Sequence, residues 1–367
     1  MANQRKNNIS DLNNHYINLA FELAKINLGS TKENPSVGCV VVKNESVISS
    51  GFTSLNGRPH AEFNALNKNI SFKNASIYIS LEPCSHFGKT PPCTNLIIKS
   101  GIKRVYYSID DIDLRSKNKS KKILNLKNII VKKNLLKIKA DKFYKSYYDY
   151  KKKDEPTVDG KIAISKDYFS ISKKKKNKWI TNYYSRKLTH LVRSRYNLIV
   201  STSKSINKDN SLLNCRIDGL STKSPDLAII DRNLKIKKNL NIFDKGIKRK
   251  IYLFTTKKKS RKIKWLKNKN IKIVLLNKLF SQHDYKKVFK FLLFKGYSRI
   301  FVESGLSFTN YLIKNKLLNN IYIFKSNNKL NKYGYNNASS KIIKKIKLRN
   351  KLKTFLYEDK VYKEKLK

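Results

Sequence analysis

Two short stretches of the chain carry the residue types of a metal site. Residues 60–62 read HAE, and residues 80–93 read SLEPCSHFGKTPPC. Zinc in catalytic sites takes histidine and cysteine ligands, and three protein ligands leave the fourth position to water. We therefore predict a zinc site held by His60, Cys84 and Cys93. Glu62 is the predicted catalytic residue, because a carboxylate beside water activated by zinc can carry its protons.

The alternative for each ligand taken singly is a structural role. A lone cysteine is more often a small buried hydrophobe, and a lone histidine more often a satisfied polar residue. The combination is different, since H-x-E followed by P-C-x-x-C is the signature of zinc deaminases that act on nucleobases. This chain departs from that signature in one respect. Eight residues, SHFGKTPP, separate Cys84 from Cys93 where the signature has two.

The insert resembles the loop SH-aromatic-G-K/R-TPP of the bifunctional riboflavin-biosynthesis deaminase/reductase family. The resemblance implies zinc-dependent deamination of 2,5-diamino-6-(5-phosphoribosylamino)pyrimidin-4(3H)-one, then NADPH-dependent reduction to 5-amino-6-(5-phosphoribitylamino)uracil. It also implies that Lys89 faces the ribose phosphate and that Asn34, in the turn NPSVG, binds the pyrimidine. A plain turn role for Asn34 and a loop-packing role for His86 stay open.

Length and composition place the chain among two-domain globular proteins. Its 367 residues suffice for two cores, and 40% are hydrophobic. The four cysteines show no disulfide framework, which fits a reducing cytoplasm. The first ten residues, MANQRKNNIS, contain no apolar signal segment, and no apolar run is long enough to cross a bilayer. We therefore expect a cytoplasmic protein without a membrane partner.

The net charge of +56, from 81 basic and 25 acidic residues, by itself suggests a nucleic-acid partner. The lysines are instead spread along the whole chain with many Asn, Ile, Tyr and Phe residues, all of which have AT-rich codons. A strongly AT-biased genome produces this composition without selection for nucleic-acid binding, whereas a nucleic-acid binder more often clusters its basic residues. We therefore expect no nucleic-acid partner. The resemblance implies a phosphorylated small-molecule substrate, and a homo-oligomer is expected.

Periodicity predicts an α/β fold in the first half, assigned to residues 1–150. A helix is predicted from a cap at Ser10-Asp11 to about residue 28, with Tyr16, Leu19, Leu23 and Ile26 as its apolar stripe. Strands and helices then alternate: strands at 39–42, 46–51, 75–80 and 103–109, helices at 60–67 and 94–100. Together with the resemblance, this predicts a three-layer cytidine-deaminase-like domain. Lys-rich residues 151–155 read as an exposed linker.

The second half, residues 154–367, resembles the reductase domain of the same family, which has a dihydrofolate-reductase-like α/β fold and uses NADPH. The opening pattern of that domain is matched without a gap by Pro156, Val158, Lys161, Ala163, Ser165 and Asp167. Tyr168 then replaces a glycine. A second register through DGKIA at 159–163 would need an insertion. WIT at 179–181 and VESG at 302–305 also match the family's motifs.

The resemblance assigns roles to individual residues of this half. Arginines suit phosphate because the guanidinium makes paired hydrogen bonds, and a strand-to-helix turn offers N–H groups to a pyrophosphate. The predicted cofactor-binding residues are Ile164, Trp179, Ser205, Asp209, Gly305, Leu306 and Ser307. The predicted substrate-binding residues are Asn177, Arg193, Leu213, Arg216 and Glu303. Lost family motifs leave open a degraded reductase half. A nucleic-acid-editing deaminase and a non-enzymatic basic binding protein are the remaining alternatives.

Overall fold

The computed structural model describes residues 2–152, 155–173, 179–244, 249–335 and 340–367. The chain divides between residues 154 and 155 into two compact units, each built on its own main sheet. The predicted linker at 151–155 includes residues 153 and 154, which lie outside the described residues. No helix in the described ranges is both long enough and apolar enough to cross a membrane.

The first unit is a mixed sheet covered by helices. Its strand order is β2-β1-β3-β4-β5, with β1 antiparallel to β2 and β3, and β3, β4 and β5 parallel. The elements are α1 (Ala2–Ala24), β1 (Gly38–Lys43), β2 (Ser46–Phe52), α2 (Ala61–Leu66), β3 (Ser76–Ile79), α3 (Cys93–Lys99), β4 (Arg104–Tyr107), α4 (Ser120–Asn125), β5 (Ile130–Lys132) and α5 (Lys137–Lys151).

The first helix runs from Ala2 to Ala24, whereas the prediction began at Ser10 and ended at about residue 28. α1 begins at Ala2, so the predicted cap at Ser10 is wrong; residues 2–9 contain no proline or glycine that would stop the helix. Its buried face is also rotated: Ile26 is 41% exposed, and the buried residues are Tyr16, Ile17, Ala20, Phe21 and Ala24. Small residues set this face, because a Cβ on Gly38 of β1 would lie 1.9 Å from the carbonyl oxygen of Ala20.

The second unit contains a larger sheet with the order β11-β10-β9-β8-β12-β6-β13-β15. All its neighbours are parallel except β13 and β15. The elements are β6 (Thr157–Ile164), β7 (Ile171–Ser172), α6 (Tyr183–Arg193), β8 (Leu198–Thr202), α7 (Ser203–Asp209), β9 (Asp226–Ile230), β10 (Ile251–Thr255), α8 (Arg261–Asn268), β11 (Ile271–Leu275), α9 (Gln282–Phe294), β12 (Arg299–Glu303), α10 (Leu306–Lys314), β13 (Asn320–Lys325), β14 (Gly334–Tyr335), α11 (Ser340–Lys345) and β15 (Lys360–Lys365).

The backbone of β6 agrees with the ungapped register. Gly160 lies within the strand, where a Cβ would come 2.7 Å from Leu318, so the DGKIA sequence is not a turn. Tyr168, which takes the place of the family's glycine, has a φ of +68°. Glycine adopts that left-handed region at no steric cost. The turn has therefore kept its conformation with a side chain that is strained there.

Candidate active sites

The three predicted zinc ligands converge in the first unit. His60 is the cap residue that precedes α2, Cys84 follows β3, and Cys93 is the first residue of α3. The Nδ1 atom of His60 lies 3.6 Å from the Sγ of Cys84 and 3.4 Å from the Sγ of Cys93. Ligands in a tetrahedral zinc site lie roughly 3.5–3.8 Å apart, given the usual Zn–N and Zn–S bond lengths. The donor set fits zinc, with Nδ1 as the histidine ligand atom.

The environment of Cys84 favours the thiolate form that a metal ligand needs. Hydrogen bonding from the Cys93 thiol and from His60 lowers the pKa of Cys84 to about 4, against the opposing effect of burial. The backbone N–H of Cys93 also donates to the Cys84 sulfur at 3.3 Å. The first turn of a helix stabilises a thiolate through such N–H groups.

Glu62 lies beside this triad and is 4% exposed. It occupies the first turn of α2, two residues after the ligand His60, and its carboxyl hydrogen-bonds with the Cys93 side chain. Burial, and then the charge of Cys84, raise the pKa of Glu62 to about 7. A general acid–base group works best with a pKa close to the operating pH. Glu62 thus has the position and the environment of a proton carrier.

A second buried carboxylate, Glu82, holds the 111–120 loop, and that loop contacts the segment between the two cysteines. It accepts hydrogen bonds from the backbone N–H groups of Asp111, Asn118 and Ser120, at 3.0, 3.1 and 3.2 Å, and from the Ser120 hydroxyl at 2.8 Å. The loop so held carries Ser116, whose Oγ lies 2.7 Å from Nδ1 of His86. The sequence analysis did not select Glu82, although it stands two residues before Cys84.

Glu82→Ala is expected to destabilise the first unit by roughly 3 kcal/mol or more, because buried N–H groups left without an acceptor cost about 1–3 kcal/mol each. Zinc release on heating, followed with a colorimetric chelator, measures the unfolding of this unit. Release should shift to lower temperature, whereas exposed Glu33→Ala should leave it unchanged. An unaltered release temperature for Glu82→Ala would contradict the supporting role.

The other predicted residues of the first unit lie in two separate loops. Asn34 donates from Nδ2 to the carbonyl oxygen of Gly57 at 2.8 Å, so its side chain joins the 31–36 turn to the segment before His60. Lys89 is exposed, within the inserted loop. The contact of His86 with Ser116 matches the loop-packing alternative. The roles of Asn34 and Lys89 in substrate binding stay predictions.

In the second unit, two predicted substrate ligands bind each other. The Nε and Nη2 atoms of Arg193 donate to the two carboxylate oxygens of Glu303, the latter at 2.9 Å, and both side chains are buried. Burial alone would raise the pKa of Glu303, but the charge and hydrogen bonds of Arg193 hold it below its ordinary value. The third donor atom of Arg193, Nη1, donates to the carbonyl oxygen of Asn214 at 2.9 Å. Arg193 therefore orients Glu303.

A neutral histidine lies between the two predicted arginines. Nδ1 of His190 accepts from the backbone N–H of Arg216 at 3.2 Å and is 3.4 Å from Nη1 of Arg193. Burial, and then the charges of both arginines, lower the pKa of His190 to about 4. Arg216 is exposed and donates from Nη1 to Asn214. Of the predicted pair, Arg216 is the arginine that presents its guanidinium to solvent.

Two predicted cofactor residues meet at the carboxyl ends of adjacent strands. The backbone N–H of Gly305, after β12, donates to Oγ of Ser205, after β8, at 2.8 Å. Gly305 precedes α10 and gives it no side-chain cap, so no side chain at the cap position satisfies the first N–H groups of that helix. Ligands of open α/β sheets bind at the carboxyl ends of the strands.

The remaining predicted residues of this half lie on several elements, and one lies outside the described residues. Ile164 ends β6, next to β12, and Asp209 ends α7. Trp179 is 66% exposed with the Arg186 guanidinium 5.0 Å from its ring. Leu306 and Leu213 are buried, and Ser307 is exposed. Asn177 lies outside the described residues. The sequence analysis did not select Lys161 as a site residue, although it pairs with Glu303 in the sheet register and its charge acts on that carboxylate.

Comparison with known proteins agrees with both halves. Residues 11–109 match the family profile for the cytidine and deoxycytidylate deaminase zinc-binding region, and residues 156–326 match the RibD C-terminal domain. The riboflavin biosynthesis protein RibD of Bacillus amyloliquefaciens is 33% identical over 306 residues, which cover 82% of this chain and 80% of that protein. The chain belongs to the RibD family. The RibD protein of Aquifex aeolicus is 30% identical, over 86% and 87% of the two chains.

Solved RibD structures have the same fold. A diaminohydroxyphosphoribosylaminopyrimidine deaminase/5-amino-6-(5-phosphoribosylamino)uracil reductase from Thermotoga maritima superposes with a TM-score of 0.80 at 26% identity, covering 97% and 99% of the chains. RibD of Acinetobacter baumannii superposes at 0.77 with 22% identity, over 97% and 99% of the chains. The predicted fold class, a cytidine-deaminase-like domain followed by a dihydrofolate-reductase-like domain, is confirmed, as is the predicted family.

Proposed function

We propose that the chain catalyses two consecutive steps of riboflavin biosynthesis. The first is hydrolytic deamination of 2,5-diamino-6-(5-phosphoribosylamino)pyrimidin-4(3H)-one. The second is NADPH-dependent reduction of the ribosyl side chain to give 5-amino-6-(5-phosphoribitylamino)uracil. The observation that carries the proposal is the convergence of His60, Cys84 and Cys93 beside the buried Glu62 in a chain of the RibD family.

The residues of the first unit account for the deamination. Zinc, when bound by the triad, supplies a Lewis acid that makes water acidic near neutral pH. Glu62 would take a proton from the attacking water while the oxygen of that water bonds to the amine-bearing carbon of the pyrimidinone. It then gives the proton to the amine, the carbon–nitrogen bond breaks and ammonia leaves. Asn34 is proposed to hold the pyrimidine ring, since its side chain is fixed by Gly57.

The second unit suits a pyrophosphate-bearing cofactor. The N-terminus of α10, at Gly305, has no side-chain cap. The N–H of Gly305 itself donates to Ser205, so Leu306 and Ser307 offer the N–H groups for negatively charged oxygens. NADPH, when bound, supplies the hydride, so the protein contributes mainly orientation and electrostatics. We assign Ile164, Trp179, Ser205 and Asp209 to the same cofactor. Glu303, oriented by Arg193, is proposed to accept hydrogen bonds from the pyrimidine, and Arg216 to bind its phosphate.

Localisation and assembly complete the proposal. All four cysteines are free thiols in the structure, which fits the reducing cytoplasm. The substrate is a phosphorylated small molecule, and the partners are further copies of the chain. Size-exclusion chromatography with light scattering measures the number of copies directly.

A coupled assay tests the proposed function. Purified protein is given the phosphoribosylated diaminopyrimidinone and NADPH, and ammonia release and NADPH oxidation are followed together. We expect both signals, with ammonia appearing first. Ammonia without NADPH oxidation would show that the reductase half has degraded. Neither signal, combined with deamination of an RNA that binds with a steep salt dependence, would favour a nucleic-acid-editing deaminase.

A further inference from the structure

Arg58 joins the segment that leads to His60 with the loop between the two cysteines. It stands two residues before the metal ligand His60 and directly after Gly57, whose carbonyl oxygen accepts the hydrogen bond from Asn34. Its Nη1 donates to Oγ1 of Thr90 in the inserted loop. A Cβ built on Gly88 would lie 3.6 Å from its Nη2 atom. The guanidinium therefore lies against the residues on both sides of Lys89.

The charge of Arg58 has no acidic partner in the described part of the chain. The half-buried guanidinium forms no ion pair there, and the hydrogen bond that it makes is to a neutral hydroxyl. Arg115 of the same unit, in contrast, is paired with Asp113 through two nitrogens, at 2.9 and 2.6 Å.

An unneutralised guanidinium at the rim of a site is suited to a phosphate, because its planar fork can donate two hydrogen bonds at once. The Nη2 atom of Arg58 lies near Gly88, the residue before Lys89. A pyrimidine held between Asn34 and the zinc ligands would extend its phosphoribosyl group past this rim. Resting on the proposed function, we propose that Arg58 binds the substrate phosphate in the deaminase site and so selects the phosphorylated pyrimidine.

The test compares two pyrimidines, the phosphoribosylated diaminopyrimidinone and the same compound without its phosphate, in steady-state ammonia release. Arg58→Met should raise KM for the phosphorylated compound roughly ten- to a hundredfold, the usual worth of a hydrogen bond to a charged group. KM for the compound without phosphate should change by less than about twofold, as for an ordinary surface substitution. For the phosphorylated compound, KM of Arg58→Lys should lie between the values of the wild-type chain and of Arg58→Met. Lysine keeps the positive charge but lacks the two-pronged guanidinium.

Two further variants separate phosphate binding from support of the loop. Thr90→Val removes the contact with Arg58 and keeps the charge of Arg58. It should therefore change KM for both pyrimidines by the same small factor. Arg104→Met removes an exposed arginine at the start of β4 and is the control for charge alone. Zinc content, measured on every variant, should equal that of the wild-type chain.

The proposal is overturned if Arg58→Met raises KM for both pyrimidines by the same factor, as Thr90→Val is expected to do. Arg58 would then only hold the loop. It is also overturned if Arg104→Met discriminates between the pyrimidines as strongly as Arg58→Met. A wild-type chain with zinc bound that releases ammonia from neither pyrimidine would overturn the proposed function itself, and the phosphate site with it.

Discussion

Glu62→Gln should abolish ammonia release and leave zinc bound. The amide has the shape of the carboxylate but cannot take a proton from water, and loss of a positioned general base lowers rates by about 10²–10⁴-fold. The three ligands His60, Cys84 and Cys93 are untouched, so zinc content should remain at the wild-type value. NADPH oxidation with the deaminated pyrimidine supplied directly should also be unchanged, because that step belongs to the second unit.

Glu45→Gln is the matched control, since Glu45 is exposed in the turn between β1 and β2. It should deaminate at the wild-type rate. Deamination by Glu62→Gln at a rate close to that of Glu45→Gln would exclude the proton-carrying role. Loss of zinc together with activity would instead assign Glu62 to support of the ligands, through its hydrogen bond with Cys93.

The clustering of the three proposed ligands was predictable from the sequence because the chemistry of a metal site depends on residue type. Histidine, cysteine and glutamate at fixed short spacings have few other uses in combination, and the structure brings the three ligand atoms within 4.8 Å of one another. The ligand atom of His60 was not predictable, since Nδ1 and Nε2 are distinguished only by the side-chain orientation. Glu82 was missed because its partners, at 111–120, are contributed by a loop without a recognisable pattern.

The first helix shows why apolar spacing alone misplaces a buried face. Leu19, Leu23 and Ile26 form a larger apolar stripe than the alanines do, yet α1 buries Ala20 and Ala24. The reason lies in the partner strand, where Gly38 allows backbone contact with the helix. A single sequence does not show which strand a helix will pack against, so the choice of face depends on tertiary structure.

Arg193 and Glu303 show a different limit. Each was predicted separately, as a ligand for a different part of the substrate, because 110 residues separate them in the chain. The parallel sheet brings the end of α6 and the end of β12 together. Arg193 and Glu303 therefore form a buried ion pair with each other. Motif matching selected both residues separately, and their dependence on each other appears only in the fold.

Arg193→Met should destabilise the second unit by about 3–5 kcal/mol, the usual cost of removing one partner of a buried ion pair. Glu303 would keep its burial and lose the charge that offsets it. Both tryptophans of the chain, Trp179 and Trp265, lie in the second unit, so tryptophan fluorescence during denaturant unfolding of the full chain reports on this unit. The double variant Arg193→Met/Glu303→Gln should recover part of the loss, because the uncompensated charge is gone.

The destabilisation caused by Arg193→Met should depend on pH. In the wild-type chain Arg193 holds the folded-state pKa of Glu303 below the unfolded value of about 4.3. The pair therefore stabilises the fold above that pH, and the contribution is lost as the pH falls through the folded pKa. In Arg193→Met, burial is opposed mainly by the weaker effect of the Lys161 charge, so the pKa of Glu303 should rise. The variant should be most destabilised at neutral pH and recover as the carboxyl takes up a proton. Equal destabilisation at every pH would mean that Arg193 acts through packing, and that Glu303 does not depend on it for its charge.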